Sequence, residues 1–262
     1  PDSNGIIKTQ SVIKSIKENT KLVSVMYVNN EIGSINPINE IADYCNKKNI
    51  LFHTDAVQYI GKDDFNFSNK NIDLLSIGAH KFYGPKAVGL LYIKRGLILN
   101  PLFIGGGQEK GLRPGTENVS LISGMTEALS IAYNEMGENI AHIQKMEDLF
   151  ISELKKSEIN FKINGTPRLK GLINITFPNI DGQTLLMQLD MRGIAISYGA
   201  ACASGSSKPS AALVSIGLSK ETAEKTVRIS IGKHITEENI LSLVSNLQSI
   251  IPKTDKVGEK VE

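Results

Sequence analysis

The sequence is poor in the residues that mark specialised binding or structural proteins. Its 262 residues include no tryptophan, 6% aromatic residues and only two cysteines, Cys45 and Cys202. Two cysteines in clearly different surroundings argue against a disulfide framework and a structural zinc site, so we expect reduced thiols and no metal. The 29 Lys and Arg residues nearly balance the 27 Asp and Glu residues, and this balance gives no support to nucleic-acid binding.

Long apolar runs and targeting segments are also missing. No run approaches the ~18 residues of a membrane span, and the first residues resemble neither a signal peptide nor a transit peptide. We therefore expect a soluble, cytoplasmic protein without a membrane partner. The chain begins with Pro1 rather than methionine, which leads us to expect that it is a truncated part of a longer protein.

Hydrophobic residues make up 41% of the chain, enough for a substantial core. In the first half, apolar runs of strand length alternate with a helical pattern, which predicts a parallel sheet. The predicted strands are 22–28, 50–56, 73–78 and 89–93, and the helix is 38–46. A glycine-rich loop at 105–115 then leads into a long helical stretch, 119–157, in which Gly137 is the predicted break.

We place a domain boundary within that helical stretch, which gives a larger ligand-binding domain at 1–135 and a smaller α/β domain at 136–262. The second domain has strand patterns at 171–177, 194–197 and 227–231 and helix patterns at 183–192, 210–216 and 237–250. Ligands in open α/β sheets bind at the carboxyl ends of the strands. Polar residues that follow the strands of the first domain are therefore the candidates for function.

Lys81 follows an apolar strand pattern and stands between His80 and a Gly84-Pro85 turn. A lysine so placed is partly withdrawn from water and can act as a nucleophile toward an aldehyde, as the Schiff-base lysine of a pyridoxal phosphate enzyme does. A surface lysine in a strand-to-loop turn is the ordinary alternative. The other polar residues of the chain favour the first interpretation.

Asp55 lies at the end of the predicted strand 50–56, with Gln58 three residues further on. A pyridoxal enzyme needs such a carboxylate to keep the ring nitrogen protonated, so that the ring can accept electrons from the substrate α-carbon. A helix N-cap is the alternative role for Asp55. The polar cluster 29–33 follows another predicted strand and would lie beside the same crevice, although by itself it is typical of a turn.

Five motifs occur in a fixed order: VNNEIG at 28–33, HTDAVQ at 53–58, HKFYGPK at 80–86, GGGQE at 105–109 and RPGTEN at 113–118. Together they resemble a cysteine desulfurase of the NifS/IscS type, in the long-loop group of the class-V aminotransferase family, over essentially the whole chain. The resemblance implies an aspartate-aminotransferase-like homodimer of fold type I with pyridoxal 5'-phosphate. It also implies that sulfur is taken from L-cysteine, leaving L-alanine, and is carried as a persulfide to iron-sulfur cluster assembly or tRNA-thiolation proteins.

The resemblance implies roles for individual residues around the cofactor. Lys81 would form the Schiff base with the cofactor and later shuttle protons, and Asp55 would pair with the ring nitrogen. Gln58 and Asn30 would contact the phenolic oxygen side of the ring, with Asn30 also beside the substrate. His80 would lie near the cofactor phosphate.

Two further residues take roles at the substrate and at the subunit interface. Arg228, in the predicted strand 227–231, matches the arginine that grips the substrate carboxylate, and its planar fork suits a bidentate clamp. A structural ion pair is the alternative, because an arginine in an apolar strand is costly unless it is paired. Thr116 would reach the cofactor phosphate of the neighbouring subunit, which would make the dimer part of the active site.

Cys202 lies in a run of small and polar residues at 197–210, a composition typical of an exposed, mobile loop. An incidental surface cysteine is the alternative. The resemblance implies instead that Cys202 accepts the substrate sulfur and carries it outward, which requires movement between two places. The length of the run matches the long-loop group, so we expect no obligatory activating partner. Cys45 shares a helical face with apolar residues and is predicted to be buried and inert.

Three departures from the family pattern are visible. Gly78 stands where the family usually has a serine that binds the cofactor phosphate, which predicts weaker phosphate binding. The Gly-Ala-Thr phosphate loop and the ring-stacking histidine of the family's N-terminal segment do not occur in this sequence, and the C-terminal run 253–262 is short. A non-catalytic fragment or interaction protein of the same fold remains an alternative, as does a selenocysteine lyase or aminotransferase relative.

Overall fold

A computed structural model describes residues 1–65, 71–199 and 210–252. The chain divides into two compact units. Unit 1 consists of Pro1–Lys8, Asn29–Ile35 and Glu138–Glu262, and unit 2 consists of Thr9–Val28 and Asn36–Gly137. Two short segments from the first part of the chain thus belong to the same unit as its C-terminal half. The continuous boundary predicted after residue 135 stays a prediction.

Unit 2 contains a four-stranded sheet in the order β1-β2-β3-β4. Its strands are Leu22–Met26 (β1), Leu51–Asp55 (β2), Leu74–Gly78 (β3) and Gly89–Ile93 (β4). The first three strands are parallel, as the alternation of patterns predicts, whereas β4 pairs antiparallel with β3. Only residues 79–88 join β3 to β4, which is too short for the crossover that a parallel partner needs.

Three helices accompany this sheet: Thr9–Ser15 (α1), Ile38–Lys47 (α2) and Val119–Asn134 (α3). The buried residues of α2 are Ile38, Ile41, Ala42 and Cys45, which follow the i, i+3, i+4, i+7 spacing of one helical face. Cys45 is completely buried, as predicted. Its position in the core fixes α2 against the sheet and removes its thiol from solvent.

Unit 1 contains a second four-stranded sheet in the order β5-β6-β8-β7, and all its pairs are antiparallel. The strands are Lys162–Asn164 (β5), Leu172–Thr176 (β6), Ser197–Tyr198 (β7) and Thr226–Ser230 (β8). The helices are Met136–Lys156 (α4), Gly182–Asp190 (α5), Ala211–Ser215 (α6), Lys220–Glu224 (α7) and Glu237–Ile250 (α8). The core of the unit lies between the apolar faces of the strands and helices, with Phe150, Phe177 and Leu247 fully buried at its centre.

The structure corrects two local predictions. The long helical stretch is interrupted at Glu135, the C-terminal cap of α3, and Gly137 lies inside α4. The strand predicted at 194–197 is reduced to β7, since the backbone N–H of Ile194 donates to Leu189 at the end of α5. Within the described ranges, each helix is too short or too polar to cross a bilayer.

Candidate active site

The carboxyl ends of two neighbouring strands in unit 2 carry Asp55 and Lys81. Asp55 is the last residue of β2, and Lys81 ends the single 3-10 turn that follows β3. The two strands are parallel, and Asp55 is paired in register with Ser76. A carboxylate and an amine therefore come from the edge of the sheet at which α/β proteins bind ligands.

Neither Asp55 nor Lys81 has a salt-bridge partner within the part of the chain that the structure describes. One oxygen of Asp55, Oδ1, accepts a hydrogen bond from the backbone N–H of Val57 at 2.9 Å. Both side chains are half-buried. A half-buried carboxylate and a half-buried amine without counter-charges suit a ligand that brings a protonated ring nitrogen and an aldehyde, so the residues present fit pyridoxal phosphate.

Gln58 and His80 flank this pair in sequence. Gln58 is buried, and its Oε1 accepts a hydrogen bond from Lys62 Nζ at 3.2 Å, whereas His80 is exposed. The imidazole of His80 lies over Gly78, where a Cβ would come within 3.3 Å of His80 Cε1. The space that a serine side chain would enter at position 78 is therefore already bounded by the histidine ring.

The loop after Lys81 has a strained backbone. Tyr83 and Ala87 have φ values of 65° and 64°, in the left-handed region that costs non-glycine residues about 1 kcal/mol or more. Tyr83 is also well exposed. Such strain persists only where the surrounding structure holds it, and it concentrates at ligand-binding loops.

Thr116 lies at an open pocket of about 270 Å³ in unit 2. The pocket is lined on one side by the residues that lead into β4 and on the other by the loop before α3, including Arg113, Gly115 and Thr116. Thr116 itself is exposed. An exposed hydroxyl at an open pocket is free to contact a ligand or a second chain.

His53 is a polar residue for which the sequence predicted no role. Its Nδ1 lies 2.7 Å from Ser24 Oγ on β1, and its Nε2 lies 3.0 Å from Ser76 Oγ on β3. Burial lowers the pKa of His53, and the charge of Asp55 opposes this effect. A neutral imidazole with one donor and one acceptor nitrogen therefore links three strands just before the residue that bears the candidate carboxylate. Strand alternation could have found it, since His53 and Asp55 share one face of β2.

Arg228 stands in β8 of unit 1 and is held by two hydrogen bonds. Its Nη1 donates to the backbone carbonyl of Asn30 at 2.8 Å, and its Nη2 donates to Ser197 Oγ at 2.9 Å. Its Nε is buried and has no hydrogen-bond partner among the described atoms. No carboxylate forms a salt bridge with Arg228 within the described ranges, although the negative charge of Glu31 acts on its guanidinium.

The electrostatic setting of Arg228 depends on Glu31. Burial lowers the pKa of the Arg228 guanidinium, and the negative charge of Glu31 works in the opposite direction. Glu31 is buried, and its Oε2 accepts a hydrogen bond from Ser210 Oγ at 2.5 Å. The residues 30, 31, 197, 210 and 228 thus form one polar cluster, which we call the arginine cluster.

Of the two cysteines, only Cys45 lies within the described residues. Cys202, the predicted sulfur acceptor, lies outside the described residues. Burial raises the pKa of the Cys45 thiol, with Asp73 adding to the effect. Cys45 is therefore unsuited to act as a nucleophile.

The aminotransferase class-V family model matches residues 1–243. The chain belongs to this class-V aminotransferase family. A cysteine desulfurase IscS of Clostridium botulinum (strain Hall) is 46% identical over 254 residues, which cover 95% of this chain and 64% of the relative.

Two solved structures of class-V relatives are similar to the chain. One, a NifS-like protein, has a TM-score of 0.86 and 36% identity over 95% of this chain and 66% of its own. The other, SspA in complex with cysteine, has a TM-score of 0.74 and 35% identity over 90% of this chain and 66% of its own. The predicted resemblance and fold class are confirmed. The chain spans about 64% of the length of the curated IscS relatives that it matches.

Proposed function

We propose that this class-V aminotransferase is a cysteine desulfurase. The observation that carries the proposal is the pair of Asp55 and Lys81, both without counter-charges, at adjacent strand ends in a chain 46% identical to an IscS cysteine desulfurase. The overall reaction transfers the sulfur of L-cysteine to Cys202. The Cβ–S bond of the substrate breaks, a sulfur–sulfur bond forms at Cys202, and the thiol proton ends on the methyl group of L-alanine. No external oxidant or reductant is needed.

Class-V aminotransferases and cysteine desulfurases depend on pyridoxal phosphate, which supplies an electron sink for the substrate α-carbon. In our proposal, Lys81 holds the cofactor and moves a proton at that carbon, while Asp55 keeps the ring nitrogen protonated. Gln58 and Asn30 contact the ring, and His80 contacts the phosphate. The half-buried positions of Lys81 and Asp55 support these roles, since partial burial strengthens charge interactions with the ligand.

Arg228 is the proposed binding group for the substrate carboxylate. Its support is a buried Nε without a hydrogen-bond partner among the described residues, together with a guanidinium that forms no salt bridge with a described carboxylate. A guanidinium in this state gains from a carboxylate ligand, because partial burial has already removed part of its water. The solved structure of SspA is in complex with cysteine, and a cysteine carboxylate fits the same requirement.

The proposal includes a homodimer in which Thr116 contacts the cofactor of the partner subunit. Large apolar side chains between β4 and the glycine-rich loop are open to solvent, with Ile98 90% and Ile104 99% exposed. Leu102 and Phe103 extend the same stretch. An exposed apolar patch of this kind marks a protein interface, and a second copy is the partner that would also use the exposed Thr116. Sedimentation of an Ile104→Asp variant should show a weaker dimer.

We propose that iron-sulfur scaffold or tRNA-thiolation proteins accept the sulfur. We also propose that this protein is located in the cytoplasm. Both proposals rest on the likeness to IscS cysteine desulfurases of bacteria. The long-loop type of the run 197–210 leads us to propose that no activating partner is required for persulfide formation.

The test combines spectra and products. The purified chain is mixed with pyridoxal phosphate, and its visible absorption is recorded before and after L-cysteine. We expect a protein-dependent band that shifts with L-cysteine, equal amounts of L-alanine and persulfide, and persulfide only at Cys202 by peptide mass spectrometry. A Cys45→Ala control should behave like the wild type.

Three outcomes would contradict the proposal. Full desulfurase turnover in a Cys202→Ala variant would remove the assigned acceptor. A spectral response to L-selenocysteine but not to L-cysteine would favour the lyase alternative, and no band at any cofactor concentration would favour a non-catalytic protein.

A further inference from the structure

Both described flanks of the segment 200–209 are tied to the arginine cluster. Before the segment, Ser197 accepts a hydrogen bond from Arg228 and pairs with it across β7 and β8. After the segment, Ser210 donates to Glu31. Because Arg228 also binds the carbonyl of Asn30, the neighbour of Glu31, one cluster holds the two positions between which Cys202 lies in the sequence.

The backbone of Glu31 is held independently of its carboxylate. Its N–H donates to Asn29 Oδ1 at 2.9 Å, and its carbonyl accepts from Asn174 Nδ2 at 3.2 Å. Asn174 is buried in β6 and receives a hydrogen bond from Asn164. A change in the Glu31 carboxylate should therefore leave the chain path at this residue in place.

The Ser210 hydroxyl has only one proton to give. Ser210 is the N-cap of α6, and its Oγ accepts a hydrogen bond from the N–H of Leu213 at 3.3 Å. Its proton is therefore directed to Glu31, whose carboxylate accepts it at 2.5 Å. Glu31 is only 8% exposed, and a buried carboxylate makes a strong hydrogen bond to a hydroxyl.

We propose that Glu31 is a positioning residue for sulfur transfer. Its carboxylate fixes Ser210, and with it the C-terminal flank of the Cys202 segment, at a defined place relative to Arg228. This role rests on the proposed desulfurase function, and Glu31 itself touches neither substrate nor cofactor in it.

The first test does not depend on turnover. Cys45 is fully buried, so alkylation of the folded full chain, followed by peptide mass spectrometry, reports the reactivity of Cys202. Glu31→Gln, Ser210→Ala and the double variant are compared with the wild type, with and without pyridoxal phosphate. We expect each single variant to change the alkylation rate at least about threefold and the double variant to add nothing further, because both remove the same contact.

Matched controls separate positioning from general destabilisation. Glu147→Gln alters another buried carboxylate of unit 1, and Ser215→Ala alters another hydroxyl of α6 that bonds only within its own helix. Both should alkylate at the wild-type rate, and Ser210→Thr, which keeps the hydroxyl, should restore it. Equal rates in wild type and Glu31→Gln, or an equal change in Glu147→Gln, would overturn the proposal.

The second test divides KM from kcat in the desulfurase reaction. Ser210→Ala and Glu31→Gln should each lower kcat about threefold or more with little change in KM for L-cysteine, because both remove the contact at the flank of the Cys202 segment and leave the two hydrogen bonds of Arg228 in place. If the wild type makes no L-alanine, the proposed function fails and alkylation alone decides on Glu31. If wild-type turnover is intact and Glu31→Gln matches it in both tests, the positioning role is wrong and the proposed function stands.

Discussion

The two units of this chain assemble their polar side chains in different ways. In unit 2, the candidate residues Asp55, Gln58, His80 and Lys81 come from two short stretches that directly follow adjacent parallel strands. In unit 1, the arginine cluster gathers side chains from four separate stretches, and the Glu31–Ser210 bond spans 179 positions. A set of the first kind survives as long as the strand ends are intact. A set of the second kind depends on the packing of the whole unit.

The largest effect that we expect is at the strand ends of unit 2. Lys81→Ala should abolish the cofactor band and reduce desulfurase turnover by on the order of 10³ or more, because no other group supplies the amine. Absorption spectra and L-alanine formation measure the two effects. Lys86→Ala, an exposed lysine in the same loop, is the control and should be near wild type. Equal turnover in both variants would remove the role of Lys81.

The second largest effect that we expect is at Arg228, the proposed binding group for the substrate carboxylate in unit 1. Arg228→Lys keeps the charge but loses the planar fork, so KM for L-cysteine should rise by about tenfold to a hundredfold, the range of a lost hydrogen bond to a charged group. Steady-state kinetics and titration of the cofactor band with L-cysteine measure this loss. Arg192→Lys, at an exposed arginine that follows α5, should leave KM unchanged. An unchanged KM in Arg228→Lys would move the substrate carboxylate to another group.

The stability of unit 1 should depend on a buried ion pair that unit 2 lacks among its described residues. Glu147 Oε1 lies 2.7 Å from Arg168 Nη2, and Oε2 accepts from the N–H of Gly171 at 2.7 Å. Glu147→Ala removes the acceptor of both Arg168 Nη2 and the N–H of Gly171, and it should lower the unfolding free energy by about 3 kcal/mol. Glu153→Ala, which removes an exposed pair on the same helix, should cost less than about 0.5 kcal/mol. Urea unfolding followed by circular dichroism measures both, and equal losses would contradict the assignment.

The smallest expected effect is a pH dependence from His53 in unit 2. Burial lowers its pKa from 6.5, so the unfolded chain binds a proton at this residue more readily than the folded chain. The resulting stability is present above pH 6.5 and is lost as the pH falls through the lowered folded pKa. Urea unfolding between pH 7.5 and pH 5 should therefore show that the unfolding free energy falls less steeply with falling pH in His53→Gln than in the wild type. Parallel curves for the two proteins would argue that His53 does not contribute.

Much of unit 2 was predictable because its signals are local. The strand and helix patterns at 22–28, 38–46 and 89–93 coincide with β1, α2 and β4 to within two residues, and the apolar spacing of α2 correctly predicted that Cys45 is buried. The missed elements α1, β5 and α7 are only seven, three and five residues long. Stretches of that length carry too few side chains for a periodic pattern.

The arginine cluster was less predictable because its contacts are not local. The sequence pointed to Asn30 and Arg228 through motifs, but no spacing rule links Glu31 to Ser210 or Ser197 to Arg228. The structure also places Asn30 in unit 1 with Arg228. The predicted strand 22–28, which ends two residues before Asn30, belongs to unit 2. Such contacts exist only once distant segments have packed together.

The sequence by itself determined the class-V resemblance, the strand ends that carry Asp55 and Lys81, and the burial of Cys45. These features follow from side-chain periodicity and turn residues that act over a few positions. Only the tertiary structure decided that β4 runs antiparallel, that His53 bridges three strands, and that Glu31 ties Ser210 to the arginine cluster. The physical reason is that hydrogen bonds between distant residues are selected by packing and burial of the whole chain, which leave no trace in local spacing.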